Sequence, residues 1–334
     1  MEIKSRRPQS SWSEDIVIDN NTIPVGGQGI IKVSVGRLPS DTRIHITAHI
    51  HRSDTPGPTL LLLAGVHGDE INGVETLRRI VASGRLENLK SGSVIIIPLL
   101  NVFGFINFSR DVPDGKDVNR SFPGNSSGSL AARVARVITK KFLPHVDYAI
   151  DCHTGGASRH NYPQVRFTGK DEEARKLAMA FGAPFIIEKS MIKNSFRRVS
   201  YDLKIPVIVY EGGESVRLDG FSILQAQEGI IRVMNRLGMI ESDVQKSEGP
   251  QVVVKKTTWL RSPYSGIFLW SKKSGQKVAK GEPVGSIKDP FGLKSVAVSA
   301  KVGGYIIGHN NASVVNHGDA LFHIAYDYEE VYPE

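Results

Sequence analysis

Apolar and polar positions follow three patterns along the chain. Gly29 to Arg37 (GIIKVSVGR) and Thr42 to Ile50 (TRIHITAHI) alternate, as half-buried strands do. Leu38-Pro39-Ser40-Asp41 between them is turn chemistry, so the pair reads as a hairpin. Leu60-Leu61-Leu62-Leu63-Ala64 and Val94 to Leu100 are continuous apolar runs, the pattern of strands covered on both faces. After the first run, Ile71, Val74, Leu77 and Ile80 recur at helical spacing. Further helices are expected over Leu130 to Phe142, residues 171–182 and Phe221 to Leu237, and short strands at Tyr148 to Ile150, Phe185 to Ile187 and Val207 to Tyr210. Residues 1–25 read as irregular, and residues 101–127 as a long polar loop of the kind that carries function. Alternating strands and helices imply an α/β fold: a mixed, mainly parallel sheet covered by helices.

The pattern changes at Gln251, where short strands and turns take over. Gly266, Val278, Gly281 and Ile287 recur thirty-seven positions later as Gly303, Val315, Gly318 and Ile324. This internal repeat predicts a small all-β domain with two-fold symmetry, similar to the barrel-sandwich fold of biotinyl and lipoyl carriers. The carriers' central lysine flanked by methionines is missing, so a structural cap is expected rather than a swinging arm. The expected organisation is an amino-terminal β hairpin region (1–58) packed on a catalytic domain (59–240). A polar, charged linker (Gly238 to Pro250) and a C-terminal β domain (251–330) capping the active site follow.

Composition narrows the function classes. At 334 residues, with 40% hydrophobic and 23% charged positions, the chain can bury a full core. Its single cysteine, Cys152, excludes an intrachain disulfide framework and cysteine-rich zinc ligation. The amino terminus has no signal-peptide pattern, and no apolar run approaches membrane-span length. A cytoplasmic protein without a membrane partner is expected. The net charge of +8 comes from scattered pairs such as Arg78-Arg79 and Arg197-Arg198 rather than a dense basic patch. Nucleic-acid binding is therefore not expected, and an anionic small substrate fits better. A homodimer is the default assembly.

Candidate chemistry gathers at strand ends. Gly65-Val66-His67-Gly68-Asp69-Glu70 is a tight turn at the carboxyl end of the Leu60 strand, where open α/β sheets place ligands. His67 and Glu70 can converge on one metal ion, with zinc the favoured guest. On this stretch alone, a surface turn with a capping carboxylate explains the pair equally well. Two more strand ends deliver His153, in Asp151-Cys152-His153-Thr154-Gly155-Gly156, and Glu211, before Gly212-Gly213. Two histidines and a glutamate are a zinc set for metal-assisted hydrolysis, with water as the fourth ligand. That leaves Glu211 as the base, taking a proton from that water and returning it to a leaving amine. In the long loop, Arg110, Asn119 and Arg120 could grip a carboxylate or steady an oxyanion, or could be solvated.

Taken together, His67-Gly68-Asp69-Glu70, Asp117-Val118-Asn119-Arg120, His153-Thr154-Gly155 and Glu211-Gly212-Gly213 resemble the succinylglutamate desuccinylase and aspartoacylase family, of the zinc carboxypeptidase clan. The resemblance runs from about Leu60 to Leu237, and the trailing β domain extends it to about Tyr326. It implies His67, Glu70 and His153 as ligands of one zinc ion and Glu211 as general base. It also implies Arg110 as the arginine that polarises the scissile carbonyl, and Asn119 and Arg120 as the pair that binds the substrate carboxylate. Asp111 and Arg166 are further candidate contacts. His145 and His160 are the nearest competing histidines and are not expected to bind.

The expected activity is zinc-dependent amide hydrolysis of a small N-acyl amino acid or related N-acyl amine, carboxylate-bearing, by attack of zinc-bound water. Two alternatives stay open. One is a metallocarboxypeptidase acting on peptides, which would use the same zinc set. The other is a catalytically silent ligand-binding module, which would have no need of Glu211.

Overall fold

The computed structural model describes residue 12, residues 14–241, residue 244 and residues 249–332. The expected linker at 238–250 and the irregular start lie partly outside these residues. The described part of the start forms a small hairpin, β1 (Ile16–Ile18) and β2 (Asn21–Ile23), rather than irregular chain. The next hairpin, β3 (Gln28–Arg37) and β4 (Arg43–Arg52), has the expected alternation: Ile31, Val33 and Val35 face Ile44, Ile46, Ala48 and Ile50 on the buried side.

β5 (Thr59–Ala64), α1 (Ile71–Ala82) and β6 (Ser93–Ile97) then build the centre. Every residue of β5 and β6 is buried. Successive side chains point to opposite faces, so the two strands serve two cores at once. Leu61, Leu63, Ile95 and Ile97 join one core, and Leu60, Leu62, Val94 and Ile96 the other. The long loop holds a short helix, α2 (Val102–Ile106), and is followed by α3 (Leu130–Val137), which runs into a wider turn over Ile138–Phe142.

Next come β7 (Tyr148–Gly155), β8 (Arg159–Phe167), α4 (Glu172–Phe181), β9 (Phe185–Glu188), α5 (Phe196–Asp202), β10 (Val207–Glu214) and α6 (Gly220–Arg236). α1, α4 and α6 cover one face through Leu77, Ile80, Leu177, Phe181, Ala226 and Ile230. α3 and α5 cover the other through Ala131, Val134, Ala135 and Phe196.

The fold is a mixed α/β sheet covered by helices, but it is less parallel than the sequence suggested. β6, β5, β7 and β10 are parallel neighbours, whereas β8 is antiparallel to β10. The reason is the connection: only residues 156–158 separate β7 from β8, so β8 must reverse direction. β10 inserts between them. β8 itself carries no clear alternation and contains Pro163, which hid it in the sequence.

The C-terminal segment comprises β11 (Gln251–Arg261), β12 (Gly266–Trp270), β13 (Lys277–Val278), β14 (Pro283–Lys288), β15 (Ser295–Ser299), β16 (Gly304–Asn310), β17 (Val314–Val315) and β18 (Ala320–Val331). β12, β14, β15 and β17 form their own sheet, but β11, β13, β16 and β18 extend the central one to twelve strands, with β11 parallel to β9. The repeat is visible in the strands: β13 and β17, and the starts of β14 and β18, are thirty-seven positions apart. Each half lends its short strand to the other, since Gly266 pairs with Val315 and Gly304 with Val278. The first strand of the repeat is therefore shifted by one residue from the sequence match, to Gly304 rather than Gly303. No helix among the described residues is long and apolar enough to cross a membrane.

Where β16 meets β8, His309 lies in register with His160. The Ser274 N–H donates to His309 Nδ1 at 3.1 Å, and the Ser274 hydroxyl contacts both rings at 3.0 Å. Burial, and then the neighbouring His160, lower the His309 pKa to about 4. Below the usual value of 6.5 the unfolded chain takes up a proton that the native state refuses. Stability is therefore lost as pH falls from 6.5 to about 4, by up to roughly 3 kcal/mol. His309→Gln is expected to flatten the dependence of Tm on pH across that window. An unchanged slope would mean that His309 does not contribute.

Candidate active site

β5 ends at Ala64, and the chain turns through residues 65–69 into α1. The turn rests on the backbone of α2. A Cβ on Gly68 would lie 2.0 Å from the Gly104 carbonyl carbon and 2.1 Å from Phe105 N, so no side chain fits there. His67 leaves this turn and Glu70 occupies the N-cap position of α1. β7 lies beside β5, with Ala64 paired to Cys152, which brings His153 alongside. β10 lies beside β7 with Glu211 in register with His153. Just beyond, β10 carries one extra residue relative to β7, across Gly212 and Gly213. Gly213 takes φ +80°, and bulges of this kind re-aim side chains beside active sites. Asn72 of α1 pins the bulge by donating to the Gly212 and Glu214 carbonyls at 3.4 and 3.3 Å.

His67, Glu70 and His153 converge, all three buried, with ligand atoms within 4.8 Å of one another. Glu70 Oε1 lies 2.8 Å from His67 Nδ1, and Glu70 Oε2 lies 2.9 Å from His153 Nδ1. The two Nδ1 atoms are 3.2 Å apart. Each ring is held from behind: His67 Nε2 is 3.2 Å from Asp117 Oδ1, and His153 Nε2 is 2.9 Å from Asp151 Oδ2. A carboxylate only accepts, so each Nε2 carries a hydrogen, and Nδ1, facing Glu70, is the ring atom that gives a lone pair to a cation when its own proton leaves. Once those protons leave, the group offers a cation three electron-pair donors, and it could hold a metal ion. Two imidazoles and a carboxylate match the set that holds a catalytic metal with one position open.

The carboxylates draw positive charge into the group, which protons supply when no metal is bound. Burial opposes charge on all three groups, but their mutual attraction outweighs it. Glu70 is held well below the usual carboxylate range, His67 is raised, and His153, with Asp151 behind it, is raised well above its usual value. Arg110 Nη1 donates to Glu70 Oε1 at 3.2 Å and Nη2 to Asp117 Oδ2 at 2.9 Å, so this guanidinium is fixed beside the metal group.

The group opens into a cavity of about 470 Å³. Arg110, Asn119, Arg120, Arg166 and Glu211 all line it. Glu211 Oε2 accepts from Asn161 Nδ2 at 2.6 Å, and Oε1 from Arg166 Nη1. Arg166 is thus engaged by Glu211. The Asn119 carboxamide oxygen accepts from Phe196 N at 2.9 Å, which commits it to the start of α5. The Arg120 side chain is 44% exposed and donates to the Asn119 carbonyl at 2.8 Å. Asp111 does not line the cavity. His145 lies against the Val17 carbonyl and His160 against Ser274 and Asp219, neither with the metal group.

Two wall residues had no signal in the sequence reading. Arg197 belongs to α5, too short for a helical period to show. Its Nη2 donates to the Ser190 carbonyl at 2.8 Å, while its buried Nη1 has no protein partner. Burial, and then neighbouring Arg166, bring its pKa down to about 10. A half-buried guanidinium with an unmet, buried donor can seat an anion. Ser195, whose hydroxyl caps α5, was the available clue. The other is Trp259 of β11, which reaches the cavity from the C-terminal segment and stacks on buried His323 at 4.3 Å.

Residues 56–237 match the model of the succinylglutamate desuccinylase/aspartoacylase catalytic domain. The chain belongs to the succinylglutamate desuccinylase/aspartoacylase family. The match takes in His67, Glu70, Arg110, Asn119, Arg120, His153, Arg197 and Glu211, whereas Trp259 lies beyond it. A relative from Halomonas elongata, named N-alpha-acetyl-L-2,4-diaminobutyric acid deacetylase, is 28% identical over 286 residues, covering 80% of this chain and 82% of its own. A succinylglutamate desuccinylase/aspartoacylase structure from Rhodobacter sphaeroides superposes with a TM-score of 0.80 at 25% identity, over 90% of this chain and 95% of that one. The product-bound ectoine utilization protein from Ruegeria pomeroyi has the same fold, with a TM-score of 0.80 at 24% identity, over 91% and 97%.

Metal analysis tests the centre. Purified protein is expected to carry one metal ion per chain and His153→Ala none. Asp151→Ala is expected to weaken affinity about ten- to a hundred-fold by freeing the ring. Equal metal in wild type and His153→Ala would contradict the assignment.

Proposed function

We propose that this family member is a zinc-dependent amidohydrolase that removes the acyl group from a small N-acyl amino acid or related N-acyl amine. The observation that carries this reading is the Glu70 carboxylate between the inward Nδ1 atoms of His67 and His153, with Glu211 in register on the next strand. Mixed nitrogen and oxygen donors favour zinc over calcium or magnesium, which take oxygen ligands. The placement of this set on neighbouring strand ends supports a zinc-carboxypeptidase-like catalytic domain. When bound, zinc supplies a Lewis acid that polarises the acyl oxygen and makes water acidic enough to be activated at neutral pH.

The chain's own residues supply the rest. Glu211 accepts a proton from the attacking water and delivers it to the departing amine, one carboxylate serving as base and then acid. Arg110, fixed by Glu70 and Asp117, directs donors toward the developing oxyanion. Arg197, with Arg120 and Asn119 nearer the rim, seats the substrate carboxylate. The name of the Halomonas relative, which specifies an acetyl group on an amino-acid nitrogen, supports an amino-acid substrate. Trp259, which lines the cavity from the C-terminal segment, narrows the space in favour of a small molecule over a peptide chain.

Glu211→Gln is expected to retain zinc and to lose about two to four orders of magnitude in kcat on an N-acyl amino acid panel. Near-normal turnover would remove Glu211 from the mechanism. Arg197→Lys is expected to lower kcat/KM about ten- to a hundred-fold for carboxylate-bearing substrates and far less for their amidated analogues. Arg120→Ala should show the same preference with a smaller loss, because Arg120 is half exposed. Equal losses on acid and amidated substrates would make these arginines structural.

A further inference from the structure

We propose that Asn161 positions the base Glu211, and that Gly308 of the C-terminal strand β16 keeps Asn161 in place. The C-terminal segment would then help set the catalytic geometry. The inference rests on reading Glu211 as the general base.

Asn161 sits where three strands meet. It is in register with Gly213 of β10 on one side and with Gly308 of β16 on the other. Its side chain is buried, and Nδ2 donates to Glu211 Oε2 at 2.6 Å. Because a carboxylate only accepts, the amide can face Glu211 only with its nitrogen. Its oxygen is therefore turned toward Gly308. A Cβ on Gly308 would lie 2.8 Å from Asn161 Oδ1, with the His160 carbonyl at 3.2 Å and His323 Cβ at 3.7 Å. The closest obstacle is the far end of one side chain. Gly308 does not take a positive φ, so the backbone itself permits alanine.

The strand has little room to retreat. Gln164 Nε2 donates to the Ile307 carbonyl at 3.0 Å, and Asn311 N donates to the Ser158 carbonyl at 2.7 Å. A methyl group at 308 is therefore relieved by rotating the Asn161 amide. That rotation costs the fold little but withdraws one of the two donors that fix Glu211. The remaining donor, Arg166, then draws the carboxylate toward itself. A hydrogen bond to a charged group is worth about ten- to a hundred-fold in such a step.

The test is a double-mutant cycle with Glu211→Gln run alongside, on the panel substrate that wild type turns over best, together with a crystal structure of Gly308→Ala. Gly308→Ala and Asn161→Ala are each expected to lower kcat about ten- to a hundred-fold, with KM within about two-fold, metal content intact and Tm nearly unchanged. The double variant should be no worse than Asn161→Ala alone. The crystal structure should show the Asn161 amide swung away from Glu211. The proposal is overturned if Gly308→Ala keeps wild-type kcat, if the two losses multiply, if metal is lost, or if the crystal structure retains the contact. If Glu211→Gln itself turns over normally, the base assignment fails. If Glu211→Gln is inactive while Gly308→Ala is not, only the coupling through Asn161 fails.

Discussion

One carboxylate held between two imidazoles constrains the rest of the molecule. Glu70 faces the Nδ1 atoms of both His67 and His153 with almost no water beside it. Groups buried in this way are costly unless fully partnered, and removing one partner leaves the others stranded. The turn after β5 must therefore deliver two side chains together, β7 must lie directly beside β5, and the turn must press onto α2 where only glycine fits at position 68. Asp117 and Asp151 then fix the rings from behind, and Arg110 closes the network over Glu70.

Beyond this centre, the cavity holds both carboxylates and arginines. Each of its three carboxylates is committed: Glu70 to both histidines, Asp151 to His153, and Glu211 to Arg166 and Asn161. Unmet capacity remains on the cationic side at Arg197 Nη1 and Arg166 Nε, and on the anionic side at Asp151 Oδ1. A site arranged in this way offers a bound molecule a seat for negative charge. The C-terminal segment is bound into the same structure, because β11 and β16 continue the sheet whose other strands carry His153 and Glu211.

The central strands and the meeting of His67, Glu70 and His153 were legible in the sequence because they obey local rules. A continuous apolar run must be buried on both faces, and a polar group at its carboxyl end then marks a site. The β13–β14 and β17–β18 repeat was legible for a similar reason, since turn glycines recur at a fixed interval. The direction of β8 was not, because it follows from a three-residue connection and from β10 inserting between its neighbours. Arg197 was hidden in a helix of seven residues, next to an arginine that pairs with Asp202 at the surface. Asn161 and Gly308 are 147 positions apart and meet only because β16 docks on β8. No pattern along one stretch of chain records such a contact.

The central claim is that this buried group holds a metal on which amide hydrolysis depends. The most direct measurement strips the purified protein with a chelator, confirms by circular dichroism that it remains folded, and assays N-acyl amino acid hydrolysis before and after zinc is returned. The expected result is loss of activity in the folded apoprotein and recovery that saturates at one zinc ion per chain. Full activity in metal-free protein would contradict it.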